Sequence, residues 1–347
     1  MKKKVLDLFC GCGGMSLGFE KAGFNIVLGV DIWPPALKTF KNNHSNSRTI
    51  CGDLSEISPI SIQNEYLQKG VDVIIGGPPC QGFSISGKRD INDPRNKLYQ
   101  SFVSYVKHFK PKAFVMENVP NLVSMNKGLV KDEIIKEFES IGYNVTYKIL
   151  LASDFGVPQN RKRVFFIGLL NAESDFIFPP ATHEGLKITS SQAISDLPEF
   201  ELDNGSPYNI KYQSDYQKKI RGKSKGIYNH QLTKHTEKTK ETIALVPDGG
   251  NYKSLPKELQ AIRNVNIAWT RLNSQKPSFT IDTGHRHHFH YKFNRIPTVR
   301  EAARIQSFPD DFIFHGTKTD QEKQVGNAVP PMLAQALANQ LINQIGQ

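Results

Sequence analysis

The sequence predicts an α/β protein: a mostly parallel sheet with helices on both faces, joined to a smaller and more irregular region. Three observations predict it. Short apolar runs alternate with amphipathic stretches through about the first 170 residues. A glycine-rich turn follows the first of those runs. From about residue 171 to 290 the alternation fails, and helical periodicity returns only towards the C-terminus.

Strands are expected at VLDLF (5–9), NIVLGV (25–30), RTIC (48–51), VDVIIG (71–76), KAFVMEN (112–118), VTYKILL (145–151) and RVFFIGLL (163–170). Helical patterns lie between them, such as NKLYQSFVSYVKHF (96–109) and VKDEIIKEFESIG (130–142). In the second, Ile134, Ile135, Phe138 and Ile141 share one face. The last two strands are close enough in sequence for an antiparallel hairpin at one edge. Beyond them, FPPATHEG (178–185), LPEFELDNGSP (197–207) and VPDGGNYKSLP (246–256) read as loops rich in Pro, Gly, Asn and Ser. TVREAARIQSF (298–308) and MLAQALANQLINQI (332–345) resume helical spacing, with Pro330 and Pro331 where the last helix begins.

A chain of 347 residues suits two domains better than one. It carries 44 Lys+Arg against 33 Asp+Glu, a net +11, with a pI near 9.3. That balance favours an acidic partner, nucleic acid being the commonest, although ordinary solubility charge has the same signature. The cysteines are Cys10, Cys12, Cys51 and Cys80, without a CxxC pair, so a reducing intracellular setting is expected rather than a disulfide framework. MKKK resembles the start of a signal peptide, but Asp7 interrupts the apolar stretch behind it. No run of about 18 apolar residues is present to cross a membrane. Window 211–240 holds nine Lys/Arg against Asp215 and Glu237, interleaved with Tyr212, Tyr216 and Tyr228. This is either a phosphate-contacting surface or an ordinary solvated face, the latter being the default.

Two strand ends carry the chemistry. In LDLFCGCGGMSLGF (6–19), Gly11, Gly13 and Gly14 allow a tight turn and a close approach to a ligand at the positive end of the next helix. Asp31 ends the second strand, where a carboxylate can hold ribose hydroxyls. The dinucleotide fingerprint is incomplete because Ser16 stands at its third glycine position, which fits a nucleoside ligand without a pyrophosphate, such as S-adenosylmethionine. Asp53, after the third strand, can accept from an adenine amino group. In GGPPCQGFS (76–84) a strand empties into a loop stiffened by Pro78 and Pro79, presenting Cys80 with little freedom. An inert loop cysteine is the plain alternative. Glu117 closes the strand KAFVMEN and shares the sheet edge with Cys80, as an acid or as an ion-paired cap. Arg161 and Arg163 in QNRKR can stabilise a thiolate, grip a phosphate, bond a base, or simply lie at the surface. HRHHFH (285–290) has no Cys or acid within it, so a DNA-contacting or plain surface loop is expected there rather than a metal site.

DLFCGCGG, PPCQGFS, ENV, QNRKRVFFIG, TVREAARIQSFP and QVGNAVPP stand in the order found in the C5-cytosine DNA methyltransferases, which the chain resembles over essentially its whole length outside about 175–285. The resemblance implies a Rossmann-like S-adenosylmethionine-dependent methyltransferase fold with a target-recognition domain. Residues 1–172 and 312–347 would form the catalytic domain and 173–311 the target-recognition domain and hinge. Cys80 would be the nucleophile, Glu117 the acid at the base's ring nitrogen and Arg163, with Arg161, its support. Phe9, Gly11, Cys12, Gly13, Gly14, Asp31, Ile32, Asp53, Leu54, Pro79, Asn327 and Val329 would line the S-adenosylmethionine pocket. Gln81, Ser84, Arg161, Lys218, Lys219, Arg221, Lys223 and Lys225 would contact duplex DNA. The expected enzyme is a cytoplasmic, monomeric bacterial modification methyltransferase, paired functionally with a restriction endonuclease. It departs from its relatives at Cys10 and Cys12, and at His290-Tyr291 where they often carry His-Pro. A tRNA methyltransferase of the same fold is disfavoured by the lack of a late Cys-Phe-Thr segment, a silent DNA-binding homologue by intact Cys80, Glu117, Arg161 and Arg163, and a nicotinamide dehydrogenase by Ser16.

Overall fold

The structure, a computed structural model, describes residues 2–79, 97–260, 269–284 and 288–346. Cys80, Gln81 and Ser84 lie outside the described residues, as do His285, Arg286 and His287. The chain divides into two compact units. The first holds residues 1–151, 162–180 and 333–347; the second holds 152–161 and 181–332.

The first unit is built on a seven-stranded sheet of β1 (Lys4–Leu8), β2 (Asn25–Asp31), β3 (Arg48–Cys51), β4 (Val73–Gly76), β5 (Ala113–Asn118), β6 (Tyr143–Leu151) and β7 (Lys162–Leu170). Their order is β3-β2-β1-β4-β5-β7-β6. The first five are parallel; β7 runs antiparallel to both β5 and β6. The expected hairpin therefore forms, but its second strand inserts inside and β6 takes the edge. Burial explains the choice. β7 is buried from Val164 to Ile167, whereas β6 exposes Tyr147 and Ile149, as suits an edge. Central β4 is apolar and buried at Val73, Ile74 and Ile75, the signature of a strand covered on both faces.

Helices α1 (Gly14–Lys21), α2 (Pro34–Asn43), α3 (Pro59–Tyr66), α4 (Lys97–Phe109) and α5 (Leu129–Glu139) connect these strands. Alternation along β2 sorts them. Leu28 and Val30 join a core with Phe102 and Val106 of α4 and Ile134 and Phe138 of α5. Gly29, pointing the other way, sits where any Cβ would meet the Phe40 ring of α2 at 2.6 Å. Helices thus cover both faces.

The second unit is poor in strands. It contains α6 (Ser190–Ile194), α7 (Asp215–Arg221), α8 (Glu237–Ala244), α9 (Lys257–Gln260), α10 (Val299–Ile305), α11 (Lys318–Asn327) and a two-stranded parallel ladder of β8 (Thr270–Arg271) and β9 (His288–Phe289). Its order comes from buried charge. In α10, whose Thr298 and Glu301 form a capping box, all seven residues are buried. Arg304 donates to both oxygens of Asp310 at 2.9 and 2.7 Å and to Asp196. Arg300 donates to the carbonyls of Tyr228, Pro309 and Phe312, and Arg295 makes a fork with Glu301, both bonds at 2.7 Å. Burial opposes ionisation of Asp310 and Glu301, and their arginines override it, holding both carboxyls below the usual range. The chain ends in α12 (Pro331–Gln344), whose Leu333, Ala334, Leu337, Ala338 and Leu341 form a buried stripe.

At its described end, 288–290, the histidine run is buried rather than the surface loop expected. Its described members His288 and His290 are buried, His290 accepting from the backbone N–H groups of Lys292 and Phe293. Burial pushes the His290 pKa down to about 4, so its imidazole is neutral at pH 7.

Candidate active site

The carboxyl ends of β1, β2, β4 and β5 gather at one edge of the first unit, at the point where strand order reverses direction from β1. In open α/β sheets that edge is where ligands bind. Each strand delivers one expected group there.

β1 leads into the glycine turn. Gly13 N–H closes it on the Cys10 carbonyl at 2.9 Å, and Phe9, Gly11 and Gly13 all have positive φ (60°, 53° and 92°). At Gly13 a Cβ would also meet the His44 ring at 2.1 Å, so geometry and space both demand glycine. At Gly11 a Cβ would meet nothing within 4 Å: the turn borders open space. Gly14 begins α1. Asp31, at the end of β2, accepts from Gly11 N–H at 2.8 Å with one oxygen and from Trp33 N–H at 2.9 Å with the other. Burial raises its pKa against those two bonds. Each oxygen retains lone-pair capacity for a ligand hydroxyl. The next residue, Ile32, is 64% exposed, an apolar side chain facing solvent beside an anchored carboxylate. After β3, Asp53 accepts from Ser55 N–H at 2.8 Å, and its bonds to Ser55 hold its pKa below normal; Leu54 is buried beside it.

β4 ends in Gly76, followed by Gly77, Pro78 and exposed Pro79. The Pro78 carbonyl accepts from Asn118 Nδ2 at 2.9 Å, and the Asn118 Oδ1 accepts from Val119 N–H. One buried amide thus ties the end of β5 to the start of the cysteine segment. Glu117, the neighbour of Asn118, lies against Arg163, with Nε to Oε1 at 2.8 Å; the side chains are only 13% and 16% exposed. Arg163 reaches it because β7 runs antiparallel, pairing Asn118 with Val164. A largely buried cation and carboxylate at the end of β5 can bind a polar ring and supply or withdraw a proton from one of its atoms.

Residues 3–343 match the C-5 cytosine-specific DNA methylase family. The chain belongs to that family. The Type II methyltransferase M1.HphI of Haemophilus parahaemolyticus is 40% identical over 345 residues, covering 99% of this chain and 87% of that protein. M.DdeI of Desulfomicrobium norvegicum, also a Type II methyltransferase, is 41% identical over 368 residues, covering 97% and 88%. Among solved structures, a DNA modification methyltransferase encoded within an E. coli prophage superposes with a TM-score of 0.82 at 29% identity, covering 99% of each chain. The S. pombe Dnmt2 methyltransferase, at 18% identity and a TM-score of 0.64 over 100% of each chain, shares the fold. This methylase is accordingly a DNA cytosine-5 methyltransferase on a Rossmann-like sheet.

The other expected residues lie in the second unit of the methylase. Arg161 is 1% exposed and donates to the Ile281 carbonyl at 3.2 Å and the Gly326 carbonyl at 2.8 Å. Its guanidinium therefore stitches the segments around 281 and 326 together, whereas Arg163 faces Glu117 in the first unit. Asn327 is exposed at the end of α11 and Val329 is buried. Lys218, Lys219, Lys223 and Lys225 are exposed in and after α7. Arg221 differs from them: it forks onto Asp196 and donates to the Ile210 carbonyl at 2.6 Å, beneath the Tyr208 ring.

Sequence reasoning missed three supports. Ser16 is a buried partner, donating to Asp7 at 2.6 Å, and burial raises the Asp7 pKa to about 8. Asn118 anchors Pro78, and Gln159 links Gln306 to the backbone N–H of Ile281. The signal for Ser16 was its spacing from Asp7 across the turn into α1. The other two are long-range contacts with no local signature.

Proposed function

We propose that the chain transfers a methyl group from S-adenosylmethionine to carbon 5 of a cytosine rotated out of duplex DNA, as the modification enzyme of a Type II restriction–modification system. The observation that carries this reading is the Glu117–Arg163 pair, held at 2.8 Å one residue from the Asn118 anchor of the Pro-Pro-Cys segment. The glycine turn suits the cofactor. Open space at Gly11 beside the start of α1 can take its carboxylate, Asp31 its ribose hydroxyls, and exposed Ile32 one face of its adenine. Bound there, S-adenosylmethionine supplies an electrophilic methyl group.

The chain's own residues do the rest. Cytosine C5 is too electron-poor to accept a methyl group unaided. The Cys80 thiolate adds to C6 while Glu117, in its acid form, gives its proton to N3, so the ring becomes an enamine with a nucleophilic C5. After C5 takes the methyl group, a base removes the C5 proton, the C6–S bond breaks to release the thiolate, N3 returns its proton to Glu117 and the aromatic ring is restored. Arg163 holds Glu117 and the base edge and supplies the cationic field that favours a thiolate. Burial keeps Cys10 and Cys12 as thiols, the latter with its pKa pushed up to about 12, so neither competes as a nucleophile. The stacked base must leave its duplex to be reached, as the general requirement for base-modifying enzymes states. Exposed Lys218, Lys219, Lys223 and Lys225 would meet DNA phosphates, Gln81 and Ser84 the extruded nucleotide, and Asn327 and Val329 would complete the cofactor pocket. The enzyme would act as a monomer in the cytoplasm; a cognate endonuclease as functional partner fits the Type II names of its relatives.

The test is transfer of labelled methyl from S-adenosylmethionine to genomic duplex DNA, with purified tRNA as the competing acceptor. DNA containing 5-fluorocytosine should trap the wild-type enzyme covalently at Cys80, and Cys80→Ser should bind DNA without trapping or turnover. Labelling of tRNA alone, or a trap at another residue, overturns the reading.

A further inference from the structure

The second unit contains a cavity of about 760 Å³ that no step above uses. Its size falls within the roughly 300–1,000 Å³ of small-molecule sites. Its walls are of two kinds. One is apolar and aromatic: Trp269 and Phe289, with ring centroids 5.4 Å apart, over Ile296 and the buried Ile243. The other is cationic and hydroxylic: Lys234 and Lys238 are exposed at the rim, and half-buried Lys318 donates to Thr233. Thr236, Thr239 and Thr242 recur every third residue along the face of α8 that lines the space.

Three lysines oppose one lining acid, Glu322, so the cavity is net positive. His235 reports that field. Burial lowers its pKa, and Lys318, Lys240 and Arg295 lower it further, leaving a neutral ring whose Nε2 accepts from Ile296 N–H at 3.3 Å. Trp269 has φ 55°, a left-handed backbone that bulky residues seldom adopt and that concentrates at functional sites.

A planar apolar face next to a cluster of cations and hydroxyls is the chemistry of a nucleotide. We propose that this cavity is a nucleotide site of the second unit, taking a base against Trp269 and its phosphate against Lys234, Lys238 and Lys318. None of its lining residues belongs to the strand ends of the large sheet described above. The site rests on the proposed DNA methylation only in the source we favour, a nucleotide of the bound duplex; a free mononucleotide has the same chemistry.

The experiment separates the two sources. In a full-length Trp33→Phe chain, Trp269 is the single tryptophan. Its fluorescence is titrated with each deoxynucleoside monophosphate and, separately, with random-sequence duplex DNA. Saturable quenching by a mononucleotide assigns a free-nucleotide site; quenching by duplex alone assigns a site for substrate DNA. Lys234→Gln with Lys238→Gln, both at the exposed rim, should weaken whichever titration responds by about tenfold at 0.1 M salt. Absence of quenching by either probe overturns the proposal, as does quenching that the double variant leaves unchanged. Wild-type methyl transfer to DNA, measured alongside, reports on the methylation reading independently.

Discussion

Glu117 and Arg163 in the first unit, and Asp310 and Arg304 in the second, are both carboxylate–guanidinium pairs with contacts below 3 Å, yet they sit in opposite settings. The first lies at a strand end, each partner 13–16% exposed and Arg163 donating also to the Lys162 carbonyl, beside an open glycine turn and an anchored loop. The second is fully buried, its guanidinium shared with Asp196 and the Ala193 carbonyl, so all three nitrogens are committed to holding the chain. A charge pair open to a ligand is available for chemistry. A pair saturated by its own backbone is a substitute for a hydrophobic core in a region with few strands.

Five variants would break or sharpen this contrast. The largest effect is expected from Glu117→Gln: turnover should fall by about 10²–10⁴-fold, with the unfolding midpoint nearly unchanged. Single-turnover methyl transfer read beside calorimetry checks it, and a parallel loss of stability would make the pair structural after all. Arg304→Met should do the reverse, removing roughly 3–5 kcal/mol of stability because Asp310 and Asp196 lose the buried cation they share, keeping as cations only Arg300 at 3.8 Å and Arg221 respectively. Urea unfolding would show this as a lowered midpoint.

Replacing Lys218, Lys219, Lys223 and Lys225 by glutamine should reduce the slope of log affinity against log salt by about 3 for duplex DNA. Arg221→Gln, its head committed to Asp196, should lower stability and leave that slope nearly as it is. The smallest effect concerns Asp7. Its folded pKa of about 8 lies above the ordinary aspartate value of 3.8, so the native state binds the extra proton between those limits. The resulting stabilisation is complete below about 3.8 and is lost as pH rises through about 8. Asp7→Asn should flatten that part of the stability profile in thermal melts from pH 5 to 9; an unaltered profile would assign the ionisation elsewhere.

How much of this was legible in the sequence follows the same division. The inner strands of the large sheet announced themselves as apolar runs, because strands covered on both faces leave little room for polar residues, whereas the edge strands β3 and β6 mix exposed and polar positions into theirs. Asp31, Asp53 and Glu117 were legible because parallel topology sends strand ends to one edge. The position of β7 inside β6 was not, since two neighbouring apolar runs do not say which will be the edge. Nor was the role of TVREAARIQSF. Its helical spacing was legible, but nothing local marks Arg300 and Arg304, one helical turn apart, as buried; α10 is buried all round and only tertiary partners reveal it. The histidines at 288 and 290 misled for the same reason.

The reversed course of β7 has a mechanical consequence. A sheet of uniformly directed strands offers only chain exits along its binding edge, and a cation there must be borrowed from a mobile connection. Here an entrance is placed among the exits, so Arg163 stands on β7 one residue beyond the Asn118–Val164 pair that ends its ladder with the strand of Glu117. Their spacing is preset before anything arrives, and little ordering entropy is left to spend when a base does.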